Sequence, residues 1–225
     1  MKLEKLLKRH LEVSERDAKT LIVRGSVSVD GSVIRSLGTV VSRFDEIRHE
    51  ETLIQAGLRR LYLMFHKPVG IVSATSDQAH ETAIDLIDHP DKSTLHLAGR
   101  LDRSSSGLLL LSNDGTWSES LTAPANKVEK EYLVETDRPI PTEAVSRFRE
   151  GFDFRPEGIR TRPASLELLS PTRARVVLNE GRYHQIKRMF YRINGIRLRS
   201  LHRIRIGTFS LPHDLGEGRW REITP

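Results

Sequence analysis

The chain has 225 residues, of which 37% are hydrophobic and 29% are charged, a balance typical of one or two globular domains. It contains no cysteine and no apolar run near the ~20 residues that a transmembrane helix needs, which excludes disulfides, thiolate metal sites and a helical membrane span. The charged residues 1–5 lack the apolar segment of a signal peptide, so we expect a cytoplasmic protein.

The first fifty residues predict two short helices followed by a β-hairpin. The leucines of 3–11 recur at helical spacing, and Ser14 is a typical N-cap for a second helix that Gly25 ends. Val27 and Val29 then alternate with polar residues up to an Asp-Gly turn.

Basic side chains on these two helices suggest a surface that binds nucleic acid. They are Lys5, Arg9, Arg16, Lys19 and Arg24. The segment VSERDAKTLIVRGSVSVDG resembles the S4 RNA-binding domain, and this resemblance covers roughly residues 1–48. The alternative is a small helical cap whose surface happens to be basic. We expect an S4-like domain with a polar linker (49–57) in residues 1–58, and a second domain in 59–225.

The second domain has a strand-rich pattern with a few helices. Extended segments are predicted over 61–65, 71–73, 132–134 and 173–178, and helices over 81–87, 141–149 and 184–194. In the last helix, Ile186, Met189, Phe190 and Ile193 form an apolar stripe.

The net charge is +6, from 36 Lys and Arg against 30 Asp and Glu, and its distribution matters more than its size. Residues 182–205 include eight basic residues and no acidic one. Such a concentration favours a polyanionic partner, most often nucleic acid. The alternative is a solvated basic face.

The most informative motif is AGRLDRSSSGLLLLSNDG, at residues 98–115. It places Asp102 in a polar loop, and the loop leads directly into an apolar segment that predicts a buried strand closed by an Asn-Asp-Gly turn. A rigid strand that presents one carboxylate in a loop is a common way to hold a catalytic group. From the loop alone, a cap or a surface ion-pair partner is an equal alternative.

Three other segments accompany this loop: HKPVG at 66–70, EKEYLV at 129–134 and LNEGRYHQIKRM at 178–189. Together the four segments resemble the signature motifs of the RsuA-type pseudouridine synthases, over nearly the whole chain. The resemblance implies a mixed α+β fold, in which an S4-like domain precedes a synthase core with a mostly antiparallel sheet flanked by helices. It also implies isomerisation of uridine to its C-glycoside, which requires neither a metal nor an organic cofactor.

The resemblance assigns roles to individual residues. Asp102 would be the nucleophile or the stabiliser of the separated sugar. Lys187 stands where the family usually places the basic partner of that aspartate, often arginine, and Arg100 is a second candidate for this role. Tyr132 would stack on the target base and relay a proton, and Leu178 would pack against the other face of the base. The residues that would hold phosphates are Arg103, Arg182, His184 and Arg188.

Without the resemblance, several of these residues have ordinary interpretations. Tyr132 fits a core aromatic on a strand, and Leu178 is a core residue in either interpretation. Lys187 fits a solvated helix face, and a single His184 makes no metal site.

We therefore predict a monomeric RNA pseudouridine synthase. The Tyr-His pair at 183–184 is similar to the branch of the family that acts on 16S ribosomal RNA, so the predicted substrate is one uridine of naked or partly assembled 16S RNA, at the RsuA-type position 516. The same reaction on 23S RNA and a non-catalytic S4-domain assembly factor are the open alternatives. A glycoside hydrolase would need a second carboxylate about 5–10 Å from the first, and none stands out.

Overall fold

The computed structural model describes residues 1–154 and 157–225, and it divides into two compact units, Met1–Arg60 and Leu61–Pro225. The predicted fold class is confirmed, because helices combine with sheets in which one strand pair among the described residues is parallel and the others are antiparallel. None of the helices in these described ranges has the length and apolar character needed to cross a membrane.

The first unit packs two helices against a small antiparallel sheet. Its elements are α1 (Leu3–Leu11), α2 (Glu15–Arg24), β1 (Val27–Val29), β2 (Ser32–Ile34), β3 (Glu46–His49) and β4 (Thr52–Ala56), with strand order β2-β1-β3-β4. As predicted, Ser14 caps α2, and its hydroxyl accepts the Asp17 backbone N–H at 3.1 Å. Gly25 ends the helix in the left-handed conformation.

The predicted linker over 49–57 is wrong. Most of this segment forms β4, which pairs with β3. Gln55 fixes the strand, because its side-chain amide donates to the carbonyl oxygens of Ser42 and Asp45, both at 2.8 Å. The polar residues Glu50 and Glu51, which suggest a linker, form the turn between β3 and β4, and β4 itself lies at the edge of the sheet.

The second unit contains a long sheet with helices around it. Its strands are β5 (Tyr62–Lys67), β6 (His96–Leu97), β7 (Ser106–Ser112), β8 (Lys130–Thr136), β9 (Asp153–Phe154), β10 (Ile159–Arg160), β11 (Ser165–Ser170), β12 (Arg173–Leu178), β13 (Leu198–Ile206), β14 (Phe209–Ser210) and β15 (Trp220–Glu222). The order in the main sheet is β11-β12-β8-β13-β7-β5-β15, while β9 and β10 pair with each other.

The helices of the second unit are α3 (Gly115–Thr122), α4 (Ala144–Glu150) and α5 (Gln185–Tyr191). The apolar stripe predicted for α5 is confirmed, since all four of its residues are buried. Helix α3 was not predicted: the Asn-Asp-Gly sequence that ends β7 also starts a helix, because the Asp114 carboxylate accepts the backbone N–H groups of Thr116 and Trp117.

Two predicted elements between β5 and β6 are wrong. Residues 71–73 contain only a single bridge, from Val72 to Thr82, instead of a strand. Residues 81–87 form a turn instead of a helix. The Asp85 carboxylate accepts both the backbone N–H and the hydroxyl of Thr82, at 2.8 Å each, and this local pairing competes with helix formation.

The parallel junction of β7 with β13 lies directly after the Asp102 loop. Gly107, at this junction, has a φ of 107°, and a Cβ there would overlap the carbonyl group of Arg203. Only glycine therefore allows β13 to approach β7 this closely.

Candidate active site

Hydrogen bonds hold the main chain of the Asp102 loop in place. The Ser73 hydroxyl accepts the Leu101 N–H at 3.0 Å and donates to the Leu101 carbonyl oxygen at 2.8 Å. Beyond Asp102, the Ser105 N–H donates to the Asp102 carbonyl oxygen and closes a turn. The carboxylate is thus attached to a backbone with little freedom to move.

Arg103 fixes the loop to the HKPVG turn. Its carbonyl oxygen accepts the Gly70 N–H at 2.8 Å, while its guanidinium Nε donates to the Gly70 carbonyl oxygen at 3.0 Å. The Arg103 side chain remains exposed, with Nη1 3.4 Å from the His80 ring. This predicted phosphate-binding residue therefore lies at the surface beside Asp102.

Two buried cations, Lys67 and Arg203, bind the loop from inside. The Lys67 ammonium group donates to the carbonyl oxygens of Ser105 (2.8 Å) and Pro68 (2.9 Å). The Arg203 guanidinium donates to the carbonyl oxygens of Leu108 (2.8 Å) and Arg100 (3.2 Å). The main chain is thus held before, within and after the turn that carries Asp102.

Burial makes the charged form of Lys67 less stable. It lowers the pKa of this lysine from 10.5 to about 8, although the charge of Asp102 acts in the opposite direction; the nearby Arg203 lowers it further. The sequence reasoning missed both buried cations, since a lysine or an arginine in a sequence is most often exposed. The one available signal was the HKPVG turn, which was noted without a role for its lysine.

Lys187 and His184 contact the Asp102 carboxylate from the other side. Lys187 Nζ lies 2.6 Å from Asp102 Oδ2 and donates to the Ser104 hydroxyl at 2.9 Å. His184 Nε2 lies 3.4 Å from Asp102 Oδ1. Among the described residues, Lys187 rather than Arg100 makes the ion pair with Asp102, and the Arg100 side chain is exposed.

An apolar cluster lies beside this ion pair. Tyr132 on β8 and Leu178 at the end of β12 are both buried in it. The same cluster contains Leu101 and Ile186, which are the chain neighbours of Asp102 and Lys187. Four separate segments thus place one aromatic ring and one aliphatic side chain in the apolar cluster that adjoins the paired carboxylate.

Comparison with known proteins shows the family to which the chain belongs. The sequence model of the RNA pseudouridylate synthase family matches residues 61–191, which hold every group described above except Arg203. The ribosomal small subunit pseudouridine synthase A of Pseudomonas aeruginosa is 45% identical over 223 residues, covering 99% of this chain and 96% of that protein. The chain belongs to the RsuA-type RNA pseudouridine synthases.

Two further comparisons span the whole synthase. The ribosomal small subunit pseudouridine synthase A of Escherichia coli K12 is 36% identical over 224 residues, with 100% of this chain and 96% of that protein covered. A crystal structure of a pseudouridylate synthase matches with a TM-score of 0.72 and 34% identity, and covers 100% of this chain and 96% of that one.

The remaining predicted phosphate-binding arginines of the synthase already have acidic partners. Arg182 Nε lies 3.1 Å from the buried carboxylate of Glu180. Arg188 lies 3.7 Å above the Phe154 ring centre and pairs with Glu157 at 2.7 Å. An RNA phosphate would therefore have to share these guanidinium groups with protein carboxylates.

Glu180 and Gln185 shape the loop before α5, a role that the sequence reasoning missed. The Gln185 amide donates to Glu180 at 2.7 Å, and its oxygen accepts the Arg182 backbone N–H at 3.0 Å. Glu180 also accepts the backbone N–H of Arg162 at 2.9 Å. The sequence motif contains Glu180, but nothing in its pattern indicates that this carboxylate braces the loop.

In the first unit, the predicted RNA-binding side chains lie on α1 and α2. A shallow cavity of about 520 Å³ on α2 is lined by Arg16, Lys19 and Arg24 together with Glu15, Thr20 and Val23. Lys19 pairs with Glu15 at 2.7 Å. Lys5 and Arg9 are exposed on α1.

Proposed function

We propose that this synthase converts one uridine of 16S ribosomal RNA into pseudouridine, at position 516, and that Asp102 is its catalytic carboxylate. The observation that carries the catalytic proposal is the Asp102–Lys187 ion pair beside a buried tyrosine and leucine. The choice of 16S RNA is supported by relatives named for the small ribosomal subunit, which match this chain over almost its whole length.

The chemistry explains why one carboxylate is central. The bond between ribose C1′ and N1 of the uracil breaks, the base turns, and C5 bonds to C1′ instead. The proton on C5 is lost and N1 gains one, so the reaction is an isomerisation with no change of oxidation state. Asp102 acts as the nucleophile or stabilises the separated sugar, and Lys187 supplies the counter-charge that holds the carboxylate in position.

The base is held by apolar groups. Tyr132 stacks on one face of the uracil and Leu178 packs against the other, while the Tyr132 hydroxyl relays a proton. A uridine within a helix cannot reach such a pocket, so the nucleotide is flipped out of its stack. Arg103 and Arg100, both exposed next to Asp102, bind neighbouring phosphates in this proposal.

The first unit binds RNA in this proposal. The basic side chains along α1 and α2 contact the phosphate backbone and place the second unit on its target, as the resemblance to S4 domains implies. We further propose that the enzyme works as a monomer in the cytoplasm.

The substrate is tested by incubating the full-length protein with 16S transcripts, 23S transcripts and partly assembled small subunits. Pseudouridines are mapped by carbodiimide modification and primer extension. We expect one new stop at position 516 of 16S RNA, free or in a particle, and no stop with a control transcript carrying cytidine there. A product at another 16S uridine would refute the position, and a product confined to 23S RNA would refute the choice of subunit.

A further inference from the structure

Tyr183 presents an exposed aromatic ring beside the candidate site. The side chain is 77% exposed, and its ring stacks on that of His184 with 3.9 Å between centroids and 19° between planes. Single exposed aromatic residues are common and need no explanation. This one is different because His184 itself lies 3.4 Å from Asp102, so the rings lead from the candidate catalytic carboxylate towards solvent.

The loop holds the stacked pair in place. His184 is in the left-handed conformation, with φ of 48° and ψ of 32°, a state that non-glycine residues adopt only when their surroundings impose it. The brace of Glu180 and Gln185 supplies those surroundings, because it fixes both ends of the short segment that contains the pair. The exposed ring is therefore preorganised.

We infer that the Tyr183–His184 pair is a stacking platform for the base of a nucleotide adjacent to the target uridine. Flipping the uridine out removes the stacking partner of its neighbour, and an aromatic ring beside the candidate site can replace that partner. Two cations flank the pair, Arg182 and Arg188, and the Tyr183 carbonyl accepts from the Arg188 guanidinium. Each of them also pairs with a protein carboxylate, so the platform binds mainly by stacking and a phosphate contact is secondary. The inference rests on the proposed catalytic role of Asp102.

The first test measures substrate affinity and rate separately. Single-turnover kinetics with a transcript that the wild type modifies give a Kd and a limiting rate for Tyr183→Ala and Tyr183→Phe. We expect Tyr183→Ala to raise the Kd about tenfold with a limiting rate within about threefold of wild type, and Tyr183→Phe to behave like wild type.

A matched control is Tyr191→Ala, which removes another tyrosine, 59% exposed, from the end of α5. We expect it to leave the Kd unchanged. An unchanged Kd for Tyr183→Ala, or an equal loss for both alanine variants, would overturn the platform. Thermal unfolding of each variant tests for a structural role. A lowered Tm for Tyr183→Ala would show that its weaker RNA binding comes from a disturbed loop and not from a lost stacking contact.

The second test identifies the stacked nucleotide. An abasic residue is placed immediately 5′ or 3′ of the target uridine. At one of these positions we expect the abasic residue to weaken RNA binding by the wild type. The same abasic residue should not weaken binding by Tyr183→Ala any further, because the ring and the base act as a pair. If the losses of affinity caused by the abasic residue and by Tyr183→Ala simply add at both positions, the pairing is refuted. Asp102→Asn distinguishes the two proposals, since persistent turnover there would refute the catalytic role while leaving the affinity data on Tyr183 intact.

Discussion

The carboxylate of Asp102 is set between a lysine at the surface and two cations in the interior. Lys187 contacts it directly, whereas Lys67 and Arg203 hold the carbonyl groups of its loop. Within the described residues, neither buried cation has a carboxylate of its own in salt-bridge range. Burying such charges is costly, and the negative charge of Asp102 offsets part of that cost. The position of the proposed catalytic carboxylate and the stability of its loop are therefore linked through one charge.

Replacing Lys187 tests the direct contact. Lys187→Met removes the counter-charge and the hydrogen bond to Ser104, so we expect kcat to fall about 10- to 100-fold. Lys187→Arg keeps the charge and should retain most of the activity. Arg192→Met, which removes a cation at the end of the same helix, is the control. Equal activity of Lys187→Met and Arg192→Met would show that the ion pair is dispensable.

The lowered pKa of Lys67 predicts how stability depends on pH. Below pH 8 the folded protein carries this buried charge at a cost, while the unfolded chain holds the same proton in water. Between pH 8 and 10.5 the folded state releases the proton and the unfolded state keeps it, so stability rises with pH. Lys67→Met has no such proton.

The measurement is urea unfolding of wild type and Lys67→Met between pH 7 and 10. We expect the unfolding free energy of wild type to increase relative to the variant by roughly 1–3 kcal/mol over this range. Other titrating groups cancel in the difference. A difference that stays constant with pH would refute the lowered pKa.

The elements that sequence patterns predicted well are those whose burial is regular. Helices α1 and α2 and strand β12 were predicted because their apolar spacing or caps are local signals. Two wrong predictions depend on single carboxylates. Asp85 stabilises a turn where a helix was predicted over 81–87, and Asp114 caps helix α3 where only a turn was predicted. A carboxylate can cap a turn or a helix equally well. In strand β4 the apolar residues Leu53 and Ile54 are adjacent, so the strand lacks the alternating pattern by which it could be recognised.

Replacing Gly107 tests whether β13 must approach β7 as closely as the structure shows. Gly107→Ala places a Cβ against the Arg203 carbonyl in a backbone conformation that alanine avoids, so we expect a loss of at least about 3 kcal/mol in unfolding free energy. Gly115→Ala is the control, because nothing lies within 4 Å of its added Cβ. Denaturant unfolding of both variants decides, and equal stabilities would contradict the close approach.

At the scale of the whole molecule, the site is made by tertiary contacts that no single motif contains. Asp102, Tyr132, Leu178 and Lys187 could be predicted because each lies in a recognisable motif. Lys67 and Arg203 could not be given a role, since their importance arises only when folding buries them under the loop. The sequence suggested phosphate contacts for Arg182 and Arg188, but it did not show that these residues pair with Glu180 and Glu157.

The proposed RNA-binding role of the first unit predicts that substitutions there change RNA affinity and its salt dependence but not the limiting rate. Arg16→Ala and Arg24→Ala remove cations from the cavity on α2, so we expect weaker RNA binding and a salt dependence shallower by about one unit of log–log slope for each lost phosphate contact. The limiting single-turnover rate should not change. Lys92→Ala, an exposed cation of the second unit outside the predicted contacts, is the control. Salt slopes identical to wild type would contradict the role.

In the proposed function, isomerisation depends on the Asp102 carboxylate. The measurement is release of tritium from RNA labelled at C5 of uridine, because the C5 hydrogen is lost only when C5 bonds to the sugar. Asp102→Asn keeps the size of the side chain and removes its charge, and its RNA affinity and Tm are measured alongside. We predict that release falls more than about 10³-fold while the variant stays folded and binds RNA. Release near the wild-type rate from folded Asp102→Asn would refute the catalytic role of Asp102.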